Sequence, residues 1–153
     1  MTLETLKDIF RQVSLAHNEI SDFNFGEQYS HNDESYPLAF LEIPYSITYD
    51  LEATSNSKAV QFAFIVAMMP EDSGDLVAQH SSISQAERIG ESIFQKIREE
   101  IPVLKFESIS GVSLNRISND LAPGFRFDVT VKFNRTCLDE NKFNKSFSIT
   151  DFE

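Results

Sequence analysis

The sequence predicts a single α+β domain, a mostly antiparallel sheet with two main helices packed on one face. Three observations predict it. Two segments repeat apolar residues at helical spacing, others alternate them at strand spacing, and single helices separate the strand groups. The length of 153 residues suits one domain. The expected division is a domain over 1–135 and a C-terminal segment over 136–153, read as an edge strand or a subunit-docking arm.

Thr2 to His17 reads as an amphipathic helix, with Leu3, Leu6, Phe10, Val13 and Ala16 on its apolar stripe and Thr2 as N-cap. Asn24 to Tyr36 is polar and reads as a surface loop. Leu38 to Ile43 is a short apolar strand, with Pro44 marking a bend or an edge. Tyr45, Ile47, Tyr49 and Leu51 then alternate with polar residues, and 52–58 reads as a turn.

Ala59 to Met69 differs in kind. Val60, Phe62, Phe64, Val66 and Met68 line one face, while Ala63, Ile65, Ala67 and Met69 make the other apolar too. Such a strand needs cover on both sides. Helices supply one side, and a second layer or another subunit is expected on the other.

Pro70 to His80 reads as an acidic loop. Ser82 with Gln85 forms a capping-box signature for the second helix, whose stripe runs through Ile83, Ala86, Ile89 or Gly90, Ile93, Ile97 and Ile101 until Pro102 ends it. Val103 to Ile117 carries a strand pattern in which Gly111 suggests a bulge or bend. After a loop over 118–124, Phe125, Phe127, Val129, Val131 and Phe133 alternate with Arg126, Asp128, Thr130 and Lys132, a strand with one wet face.

Charge and composition exclude several classes. The formal net charge is −11, and the 13 Lys and Arg are scattered, which disfavours specific nucleic-acid binding. The longest apolar run, Ala63 to Met69, falls far short of the ~20 residues of a membrane helix. The first residues mix charge with apolar side chains, unlike a secretory signal. The single cysteine, Cys137, excludes an internal disulfide framework, so an intracellular-type protein is expected.

No constellation carries chemistry. His17, His31 and His80 lie in different elements without metal-ligand spacing. The carboxylate pairs Asp33-Glu34, Glu71-Asp72, Glu99-Glu100 and Asp139-Glu140 read as solvated surface in an acidic chain. No phosphate-cradling loop or Gly-x-Ser-x-Gly elbow occurs. No catalytic residue, cofactor or metal is therefore expected, and the chain is not read as an enzyme. Phe143, Phe147 and Phe152 sit in a segment too polar to be an obvious core strand. They fit either a closing edge strand or an arm ordered on assembly.

The layout nevertheless resembles a known family. An N-terminal amphipathic helix precedes SYPLAFLEIPYSITYD, then the long apolar strand AVQFAFIVAMM, the helix ERIGESIFQKIREEI and the closing strand GFRFDVTVKFNR. This order is similar to that of the tail terminator (tail completion) proteins of long-tailed bacteriophages, the lambda minor tail protein U class. It covers Leu3 to Phe133 and lies in element order, without a signature motif.

The resemblance implies a structural virion protein. It would form a ring, expected to be a hexamer, at the head-proximal end of the tail tube. There it would cap tube polymerisation and join the tail to the head connector. Implied partners are further copies of the chain, the tail tube protein and the head-tail connector protein. DNA would pass through the lumen without specific binding, and assembly would occur in the bacterial host cytoplasm. No catalytic residue carries over.

Candidate subunit or tube contacts are Ala63, Ile65, Ala67 and Met69, the loop residues Glu71, Asp72 and Asp75, and Phe143, Phe147 and Phe152. Three rivals remain. They are another neck or connector component, an acidic inhibitor or immunity protein that masks a basic partner, and an enzyme whose site is assembled from distant residues.

Overall fold

The computed structural model describes residues 1–27, 35–50, 57–69, 75–117 and 122–134. Seven elements follow in the order α1 (Leu3–Ala16), β1 (Asp22–Gly26), β2 (Leu38–Tyr49), β3 (Ser57–Ala67), α2 (Leu76–Glu100), β4 (Lys105–Ile117) and β5 (Ala122–Asn134). The strands form one five-stranded sheet in the order β1-β2-β3-β5-β4. Among the described residues, β1 and β2 pair in parallel, and the other three pairs are antiparallel. The predicted single α+β domain is what the chain forms.

Register gives the sheet two ends. Leu38 pairs with Ala67 and Ala67 with Gly124 at one end; Ser57 pairs with Asn134 near the Lys105–Lys132 pair at the other. The helix α1 finishes at the Ala67 end, where the Ser21 N–H donates to the Pro37 carbonyl at 2.8 Å. The helix α2 leaves from that end and descends to Lys105. Its return up β4 and down β5 slots β5 between β3 and β4.

Local chemistry sets these boundaries. The Thr2 hydroxyl accepts the Thr5 N–H and caps α1. The α2 helix begins at Leu76, because the Asp75 carboxylate accepts from the Val77 and Ala78 N–H groups. The expected capping box at Ser82 and Gln85 therefore lies inside the helix, and His80 is an exposed helical residue. The α2 helix closes at Glu100 with Ile101 as C-cap, one residue before Pro102.

Asn24 to Gly26, expected to begin a loop, belong instead to a strand, Asp22–Gly26. Parallel pairing with Leu38–Glu42 satisfies its backbone, Phe23 packs against the core, and Gly26 ends it at φ 139°, a conformation that favours glycine. Pro44 does not break β2. The β2–β3 register shifts between Glu42 and Ser46, past the last β1 pair, so proline sits where one side of β2 is open.

The helix-covered face holds the main core. Leu6 and Phe10 of α1 meet Ile89, Ile93, Phe94 and Ile97 of α2 over Val60, Phe62, Phe64 and Val66 of β3 and Phe127, Val129 and Val131 of β5. Phe94 belongs to this core, although the expected stripe omitted it. The Phe10 ring centroid lies 5.2 Å from those of both Phe62 and Phe64, and Phe94 lies 5.0 Å from Phe127. These are edge-on or tilted contacts of the kind aromatic quadrupoles favour. Gly90 fits here because a Cβ would stand 2.2 Å from the Phe127 ring.

Gly111 has the same cause. The β4–β5 register shifts fall at Phe106/Ser108 and Leu114/Ile117, not at the glycine as expected. A Cβ on Gly111 would stand 2.2 Å from the Phe125 ring.

Candidate functional site

Among the described residues, no group of three or more His, Cys, Asp or Glu side chains could hold a metal ion. His17 ends α1, where its Nδ1 accepts the Glu19 N–H at 3.1 Å, far in role from a ligand set. Glu99 and Glu100 are exposed, and Glu100 bonds Lys96 at 2.7 Å. That hydrogen bond holds the Lys96 ammonium above its usual range and the Glu100 carboxyl below it. Burial, and secondarily the Glu4 carboxylate, raises the Tyr45 phenol. These are effects of packing and of an exposed helical ion pair.

Two other features stand out: the face of the sheet that, among the described residues, no helix covers (the helix-free face below), and the exposed start of α2. On the helix-free face, residues alternate with those of the main core. Leu38, Phe40, Ile65, Ala67 and Ala122 form a second, smaller cluster at the Ala67 end, with Tyr36 and Leu114 against it. Ile65 and Ala67 are 0% exposed and Ala63 is 4% exposed within one chain. These three expected contact residues are buried within one chain.

Beyond that cluster the face turns polar. The Arg126 Nη1 donates to Glu42 Oε2 at 2.7 Å and its Nε to Asp128 Oδ1 at 3.3 Å. Glu42 lies on β2 and Arg126 on β5, with β3 between them, so the side chain spans two strand spacings, about 10 Å. It crosses at Ala63, which pairs with Glu42 on one side and Asp128 on the other. A methyl group there leaves room for the crossing. Alanine in a strand of large apolar residues thus has a local purpose.

The start of α2 is the opposite case. No residue of Leu76–Gln85 is buried, and the first buried contact is Ala86. Leu76 is 76% and Val77 79% exposed, and Met69, just past β3, is 61% exposed. Asp75, the exposed N-cap, directly precedes Leu76. The structure therefore brings two expected contact residues, Met69 and Asp75, to one end of the molecule. It adds Leu76 and Val77, which a reading of the segment as loop missed. Glu71, Asp72, Phe143, Phe147 and Phe152 lie outside the described residues, as do His31 and Cys137.

Among the described residues, no helix is long and apolar enough to cross a membrane. Comparison with known proteins identified no matching family model and no matching curated protein.

Proposed function

We propose that this chain is a structural virion protein, a phage tail terminator. In this reading it forms a ring of six at the head-proximal end of the tail tube, stops tube polymerisation and joins the tail to the head connector. The observation that carries the reading is the helix-strand-helix-hairpin order with exposed apolar residues, Met69 just past β3 and Leu76 and Val77 at the start of α2. Exposed apolar side chains of this size are surface that an assembling subunit can bury. The acidic excess supports a lumen that DNA traverses without sticking. No catalysis, cofactor or specific nucleic-acid contact belongs to this role.

The test adds purified protein to tail tubes polymerising in vitro, with light scattering and negative-stain imaging of the protein alone. Capped tubes of arrested length, with closed rings near six subunits at tube ends, are expected. Tubes that keep growing at saturating protein would sink the reading. The net charge of −11 also suits an acidic inhibitor of a basic partner. That role predicts a monomer and a tight one-to-one complex.

A further inference from the structure

We propose that the chain's own C-terminal segment lies as a strap over the helix-free face at its Ala67 end, with Phe143 and Phe147 as the side chains that seal it. The proposal stands whether or not the protein forms a ring. It starts from burial. Leu38 and Ile65 are 0% exposed and Phe40 1% within one chain. They stand on the face that no described helix covers, and among the described residues the partly buried apolar side chains packed against them are Tyr36 and Leu114.

Neighbours within the sheet do not account for this. Side chains stand roughly perpendicular to a sheet, so flanking strands shield their sides and leave their tips open. Gln61 shows the uncovered condition. It lies on the same face of β3, flanked by Ser46 and Thr130, and is exposed. Ile65 is flanked in the same way by Phe40 and Arg126, yet no part of it reaches solvent. Phe40, between Asn24 and Ile65, would lift its ring into water if nothing lay above it. A covering layer is required. Because the burial is complete in one chain, that layer belongs to the same chain.

Composition and length select the segment. The stretches outside the described residues are 28–34, 51–56, 70–74, 118–121 and 135–153. Of these, 51–56 joins β2 to β3 at the Ser57 end, and 70–74 (PEDSG) is apolar only at Pro70. The stretch before β2 offers Tyr29 and the one before β5 offers Leu121, one large apolar side chain each for a cluster that spans β2, β3 and β5. The last stretch is the longest and offers Leu138, Phe143, Phe147, Ile149 and Phe152.

Its reach fits as well. An extended chain advances about 3.3 Å per residue, as the strand beneath it does. A segment that turns back at Asn134 at once brings Phe143 level with Phe125, between the Ile65–Arg126 and Ala67–Gly124 pairs. If the reversal takes about four residues, Phe147 stands there instead. Either way a phenylalanine arrives over the cluster. The segment is then neither an edge strand nor an arm waiting for a neighbour, and the face it covers is closed to other subunits.

The experiment uses the full-length chain with Phe147 replaced by photoreactive p-benzoylphenylalanine. After irradiation, products are sized on a denaturing gel and linked peptides are mapped by mass spectrometry. A product of one-chain mass, linked to β2 or β3 within 38–42 or 63–67, is expected. A product of two-chain mass would show an arm docked on a neighbour and overturn the proposal, as would links only elsewhere or no link at all. A second full-length variant, Phe143→Ser with Phe147→Ser, is compared with Tyr29→Ser for binding of anilinonaphthalene sulfonate. The double variant should raise the dye's fluorescence about threefold or more by opening the cluster. A rise in Tyr29→Ser alone would assign the cover to 28–34 and overturn the proposal. Rings that cap tail tubes bear only on the terminator reading, so the two readings fail separately.

Discussion

The two faces of the sheet finish the same strands in different ways. On the helix-covered face, β3 presents Phe62 and Phe64 to a closed set of rings with Phe10, Phe94 and Phe127. On the helix-free face, one residue away along β3, Ala63 lies at the crossing of an ion pair between β2 and β5. The helix-covered face gathers most of the buried apolar area, and hence most of the hydrophobic driving force. The other is apolar at the Ala67 end alone, ionic in the middle, and polar toward Ser57, where Gln61 is exposed. A strand apolar on both faces is thus no sign of a subunit interface by itself. Small apolar residues on the second face can mark room for a neighbour's long side chain.

The largest expected effect lies on the ring-packed face. Phe64 is 0% exposed and touches two rings, so Phe64→Ala should cost about 3–5 kcal/mol through lost transfer energy and a cavity. Gln61→Ala, on the same strand but the exposed face, should stay within about 0.5 kcal/mol. Urea unfolding of both variants measures the contrast. Equal losses would mean that the helix-free face is as tightly packed as the other.

The next effect separates two glycines that a sequence cannot rank. At Gly90 an added methyl meets Phe127, which is 4% exposed and held between Phe94 and Phe125. The ring has nowhere to go, so overpacking of about 1–3 kcal/mol should outweigh the ~1 kcal/mol helix propensity gained from alanine. Gly111 is exposed and meets Phe125, which is only partly buried. That ring can yield, and Gly111→Ala should cost less than about 1 kcal/mol. A reversed order in thermal or urea unfolding would show that β4, and not α2, is the rigid wall of this core.

How much of this was legible follows from how local each cause is. The alternation in β3 and β5 and the stripes of α1 and α2 are local, and they gave the sheet, its helix-covered face and most of the core. The strand β1 was hidden because Asp22, Asn24 and Gly26 look like turn residues, and only pairing with β2 makes them a strand. The start of α2 was hidden because Leu76 and Val77 face solvent and so add nothing to a buried stripe. Gly111 looked like a bulge because its cause, the Phe125 ring, sits on another strand. Glu42 and Arg126 lie 84 residues apart, and nothing near either announces the other. Of the candidate contacts, Met69 and Asp75 flank the β3–α2 connection, while Ala63, Ile65 and Ala67 are buried within one chain.

The smallest effect tests that long-range pair. The Arg126 side chain is 26% exposed and that of Glu42 21%, so solvent screens the pair only in part. Removing the cation by Arg126→Met leaves the Glu42 carboxylate half-buried without its partner and should destabilise by about 1–2 kcal/mol. Glu42→Gln alone should cost less, because an amide oxygen can still accept from the guanidinium. The double variant should recover part of the loss, giving a coupling energy of about 0.5–1 kcal/mol. Asp128 sets the control. It receives only the longer 3.3 Å bond and is 46% exposed, so Asp128→Asn should couple to Arg126 more weakly than Glu42 does. If Ala63 matters as the crossing point, Ala63→Leu should abolish the Glu42–Arg126 coupling while both charges remain. Coupling that survives in that variant would show that the guanidinium reaches Glu42 by a path that does not need the methyl-sized gap in β3.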